Sequence, residues 1–100
     1  MTPLREFPDQ WRGRKADCLL LGQGAGPEGE AVRLVYKVRK GAVDLFYIAS
    51  AEKRRGHGEM ALRYLKDRFG PIHIKGATVE AFPFHEKMKE KGLVESIERY

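Results

Sequence analysis

The chain changes character across Ile48-Ala49-Ser50-Ala51-Glu52-Lys53-Arg54-Arg55-Gly56-His57-Gly58. Before this stretch, apolar and polar residues alternate with a period of two. After it, Gly58, Ala61, Leu62, Leu65 and Phe69 fall at i, i+3, i+4, i+7 and i+11, one apolar stripe of a helix. A strand therefore gives way to a helix here. Gly56 and Gly58 lack side chains, so a ligand can approach the backbone closely. The first N–H groups of a helix are unpaired and carry positive partial charge, which suits an anion. Lys53, Arg54 and Arg55 add attraction for phosphate. Physically this is a pyrophosphate cradle; the competing reading is a tight turn with solvated charges. It is not a Walker loop, because no Gly-Lys-Ser/Thr follows at the required spacing.

Working outward, residues 42–49 read as a strand with Asp44 as its only charge, and Lys40-Gly41 as the turn joining it to a strand over 31–40. In that earlier strand Val32, Leu34, Tyr36 and Val38 point one way and Arg33, Lys37 and Arg39 the other, giving a basic outer face. Asp17-Cys18-Leu19-Leu20-Leu21 suits a buried strand, with Cys18 as core. Gly22, Gly24, Gly26, Pro27 and Gly29 form a loop; Pro27 stands where the dinucleotide fingerprint needs its third glycine. Residues 1–16, with Pro3, Pro8, Trp11 and Arg12-Gly13-Arg14-Lys15, show no clear period and read as an irregular basic arm. On the other side, Gly70-Pro71 ends the helix. A strand is expected over 72–78, a second helix from Pro83 to Lys91 stopped by Gly92, and a short strand over 93–97. The expected architecture is α/β: one domain over residues 1–100, with a mixed, mainly antiparallel sheet and two main helices.

One hundred residues can bury roughly two-thirds of the extended chain's surface, enough for one modest core. The 42% hydrophobic and 33% charged composition is that of a soluble globular protein rather than a disordered chain. No apolar run approaches the roughly 20 residues that span a bilayer, so no membrane partner is expected. The amino terminus has no apolar stretch of signal-peptide type. A single cysteine excludes an internal disulfide framework and an all-cysteine zinc site, which points to a cytoplasmic, reducing setting. His57, His73 and His85 have no recognised metal spacing, and no metal is expected. The net charge of +5 favours nucleic acid, an acidic protein or a phosphorylated ligand, without choosing among them.

Lys53-Arg54-Arg55-Gly56-His57-Gly58 resembles the acyl-CoA-binding signature of the GNAT superfamily of N-acetyltransferases, Gln/Arg-x-x-Gly-x-Gly/Ala between a strand and a long helix. Lysine stands where glutamine or arginine is usual, and His57 where an aliphatic residue is usual. Ile48 occupies the usual aliphatic place near the strand end, and Ala61-Leu62 falls where paired leucines are common. Met88-Lys89-Glu90-Lys91-Gly92-Leu93 is similar to the Tyr-Glu-Lys-x-Gly-Phe ending of the family's next helix. The two motifs cover about the last 60 residues of the chain.

The resemblance implies a GNAT-like sheet and acetyl-CoA as cosubstrate, with transfer to a primary amine of a small molecule or a protein lysine. It places the pyrophosphate at the backbone around Gly56, His57, Gly58 and Glu59 with Lys53, Arg54 and Arg55, and the pantetheine arm along Ile48, Ala49 and Ser50. The family often uses a tyrosine of the second helix as general acid; here that position is Met88, and His85, one turn earlier, is the nearest titratable substitute. Asp44 and Glu80 are the candidate bases. The family's extra helical pair, which shapes the acceptor site, has only the Gly22–Gly29 loop in its place, so a second subunit or a macromolecular substrate would complete that side. The alternative is a non-catalytic relative binding nucleic acid or a protein partner through its basic surface.

Overall fold

A computed structural model describes residues 2–22, 31–50 and 56–99. Six strands and two helices follow in the order β1 (Thr2–Trp11), β2 (Arg14–Gly22), β3 (Val32–Arg39), β4 (Ala42–Ser50), α1 (His57–Phe69), β5 (Ile72–Ala77), α2 (Phe82–Glu90) and β6 (Ser96–Arg99). All six strands form one sheet in chain order. The first four are antiparallel, while β4–β5 and β5–β6 are parallel, each pair joined through a helix. The α/β class, the mixed sheet and the two helices are therefore as expected.

The irregular arm expected over residues 1–16 is instead β1 and the start of β2. Trp11 and Arg14 pair across Arg12-Gly13, whose φ angles of 52° and 78° are both positive, as a tight two-residue hairpin demands. Pro3 and Pro8 hid this strand, because proline breaks the pattern of a central strand. Strand β1 lies at the edge of the sheet, where a missing N–H costs nothing. The Gly22–Gly29 loop lies, after Gly22, outside the described residues. The last strand begins later than expected: Leu93 and Val94 are buried in the core and Glu95 N–H donates to the Ile72 carbonyl (2.8 Å) before β6 starts at Ser96.

Period-two alternation divides the sheet into two faces. Leu19, Leu21, Val32, Leu34, Tyr36, Val43, Leu45, Ile72 and Ile74 point to the first face, where they pack with Ala61, Leu62, Leu65 and Met88 of the two helices. Each fully buried leucine there contributes on the order of 2 kcal/mol. Glu6 ties the edge strand to this layer: its carboxylate accepts from the Tyr36 hydroxyl (3.0 Å) and from Arg68 Nη2 at the end of α1 (2.9 Å). The Arg68 hydrogen bond holds the Glu6 carboxyl below its ordinary range, and burial pushes the Tyr36 phenol up.

The second face carries neither described helix. Ala16, Cys18 and Val35 are buried there beneath Phe7, Trp11, Leu20 and Phe46. Strand β2 pairs with β3 only from Asp17 onward, whereas its pairing with β1 continues to Arg14. The end of the β1–β2 hairpin thus leaves the sheet and crosses the second face. Its Trp11 reaches Phe46 (ring centroids 6.4 Å apart, planes 10° apart) and Tyr47 (5.6 Å).

Candidate functional site

Strand β4 pairs with β3 along its whole length, from Arg39↔Ala42 to Val32↔Ser50, but with β5 only from Val43↔Ile72 to Leu45↔Ile74. Two local features account for the divergence beyond Leu45. Register shifts between Val35 and Tyr36, leaving Phe46 as an extra residue, so Phe46 and Tyr47 both face Trp11 on the second face while Ile48 returns to the core face. In β5, Gly76 takes φ 72°, a left-handed conformation that bends the strand and coincides with a register shift against β6. A groove of about 110 Å³ opens between the strands, lined by Leu45–Ile48 of β4, Ile74–Ala77 of β5, and Thr78, Ala81 and His85. The groove side of β4 has no β5 partner there, and a strand edge of that kind can hydrogen-bond an extended ligand.

Because β4 and β5 are parallel, their carboxyl ends lie together, and both α1 and α2 begin at that end of the sheet. This is where α/β proteins commonly receive ligands. Gly56 caps α1 in a left-handed conformation, φ 72°, with no side-chain hydrogen bond to the first turn and open space around its α-carbon. The starts of the two helices touch: a Cβ at Gly58 would stand 2.9 Å from Phe84 Cζ. Gly58 therefore makes room for the neighbouring helix. Glu59 is likewise a strut, its carboxylate accepting from Lys91 Nζ (2.6 Å) and Arg63 Nη2 (3.1 Å). Those hydrogen bonds, Lys91's foremost, hold its carboxyl below the ordinary range.

Of the residues expected from sequence, Ile48 and His85 line the groove together. Ala49 and Ser50 continue β4 opposite Arg33 and Val32. Lys53, Arg54 and Arg55 lie outside the described residues. His57 is buried at the start of α1, its Nδ1 without a hydrogen-bond partner among the described residues. His85 is 3% exposed, its Nδ1 is also without such a partner, and burial lowers its tendency to take up a proton. Asp44 is away from the groove. Val43 and Leu45 on either side take the core face, so Asp44 turns to the second face, with Oδ1 3.0 Å from Arg39 Nη2. Glu80 is exposed in the turn before α2 and does not line the groove. Met88 is buried in the core.

Sequence reasoning missed Phe46, Tyr47, Gly76, Thr78 and Ala81. Gly76, an isolated glycine within a strand pattern, was the available signal for a kink; the bulge at Phe46 has no comparable mark. Among the described residues no group of three or more His, Cys, Asp or Glu side chains could hold a metal ion, and no helix is long and apolar enough to cross a membrane. Comparison with protein-family models, with curated proteins and with solved structures returns no match.

Proposed function

We propose that the protein is an acetyl-CoA-dependent N-acetyltransferase acting on a primary amine. The observation that carries this reading is the groove between the diverging carboxyl ends of β4 and β5, with the start of α1 at the same end of the sheet. The edge of β4 over Phe46–Ile48 offers backbone groups to the amides of a pantetheine arm, and the uncapped first turn of α1 offers N–H groups to a pyrophosphate. Lys53, Arg54 and Arg55, immediately before Gly56, add the positive charge that such a ligand needs.

Transfer requires the amine nitrogen to attack the thioester carbonyl, the C–S bond to break, and one proton to leave the ammonium while another reaches the thiolate. His85 suits the first of these proton tasks. Burial favours its neutral form, and a neutral imidazole at the groove wall has a lone pair to receive the ammonium proton. The imidazolium so formed is disfavoured by the same burial and gives its proton up to the leaving thiolate, so the ring acts as base first and then in the general-acid role expected from sequence. Asp44 and Glu80 have no part in this reading.

Thermal unfolding and calorimetric titration with acetyl-CoA test it. Saturable binding and a raised midpoint are expected. Ala81→Trp should abolish both by filling the groove while leaving the unliganded midpoint near the wild-type value, because Ala81 is only partly buried and already helical in φ and ψ. No binding of acetyl-CoA or CoA to the wild-type chain would overturn the proposal.

A further inference from the structure

The second face of the sheet brings stacked aromatic rings and a basic hairpin tip to one place. Trp11, Phe46 and Tyr47 form a continuous ring cluster, and Tyr47 remains 42% exposed. At the hairpin tip Arg14 is the cross-strand partner of Trp11, and the Arg12 guanidinium stands 5.8 Å from the indole centroid. Further along the same face, the Arg5 guanidinium covers the Phe7 ring at 4.7 Å, and Lys37 is exposed opposite Asp44. Two carboxylates share this face with the cations Arg5, Arg14 and Lys37: Asp44 stands 3.0 Å from Arg39, and Asp9, in step with Phe7 and Trp11, accepts from the Gln10 N–H (2.8 Å).

We propose that this face is a docking surface for single-stranded nucleic acid, with bases stacking on the Trp11–Phe46–Tyr47 cluster and phosphates meeting the cations of the hairpin tip. The argument is charge complementarity combined with ring chemistry. Exposed aromatic faces on a sheet bind the faces of unpaired bases, each stack being sequence-tolerant, and flanking cations track the phosphates. A duplex hides its base faces and offers the cluster nothing. A second copy of the chain would bring two basic hairpin tips together, which like-charge repulsion opposes. Phe46 and Tyr47 also border the β4–β5 groove, but the proposal uses only their rings on the second face and does not rest on acetyl transfer.

Trp11 is the only tryptophan, so its fluorescence reports directly on stacking. Titration with a short oligothymidylate or oligouridylate should quench it saturably, with an affinity that falls steeply as salt rises. Tyr47→Ala should weaken binding about tenfold, the scale of losing one base stack. Arg14→Glu, at an exposed position opposite Trp11, should weaken binding and flatten the salt dependence while the thermal midpoint stays near wild type. The proposal is overturned if the oligonucleotides cause no quenching, if a duplex binds as tightly, or if the folded Arg14→Glu chain binds as well as wild type. It is also overturned if the fluorescence changes only with protein concentration, the mark of self-association.

Discussion

Burial of the His85 ring favours its neutral form, and this has a consequence for stability with a definite sign. The ring's ordinary pKa is 6.5 and lies lower in the fold. Below pH 6.5 the unfolded chain therefore binds a proton that the folded chain refuses. The contribution of His85 is present above that value and is lost as pH falls through the interval down to the depressed folded value. Glu6 acts further down: its carboxyl, lowered from 4.5, contributes above that value and loses its effect below it. Between about pH 7 and about pH 5 the thermal midpoint of the wild-type chain should thus fall more steeply than that of His85→Gln. Equal slopes would show that the fold does not exclude the charged ring. His85 was legible in the sequence as the titratable neighbour of Met88. Its orphaned Nδ1 was not, because that depends on the groove wall formed by β4, far back along the chain. Asp44 shows the opposite case: strand alternation already implied that it faces away from Val43 and Leu45, hence away from the core side.

At the scale of elements, α1 was the most readable part of the chain, since its stripe of Ala61, Leu62 and Leu65 is the face it buries. Its end is equally determined. Gly70 takes φ 100°, and a Cβ there would meet the Gly41 carbonyl oxygen at 3.0 Å, so the β3–β4 turn closes directly against the end of the helix. Gly70→Ala adds backbone strain and a contact with main-chain atoms that cannot swing aside. It should cost roughly 1–3 kcal/mol in urea unfolding. A loss below about 0.5 kcal/mol, the scale of a neutral surface change, would mean that the turn moves freely from the helix end. The β1–β2 hairpin was invisible because its prolines and its Arg12-Gly13 turn obscure a period of two that Phe7, Asp9 and Trp11 nonetheless keep. The divergence of β4 from β5 was invisible for another reason: pairing that stops is a relation between two strands, and neither strand alone records it.

At the scale of the whole molecule, two apolar layers share the same central strands. Leu34 and Tyr36 of β3 point to one layer and Val35 to the other, so β3 cannot lose one layer and keep its place in the second. The hairpin tip should accordingly unfold together with the helices. Urea transitions followed by Trp11 fluorescence and by far-ultraviolet circular dichroism are expected to coincide. A fluorescence transition that comes clearly earlier would make the hairpin a separately melting unit.

Each described strand's sheet neighbour is its neighbour in sequence among the described strands. A sheet ordered this way confines each closure to the chain between consecutive strands, the longest being that from Val43 to Ile72 across α1. The same order also means that synthesis delivers each strand after the one it must pair with, and the growing edge always has a template waiting.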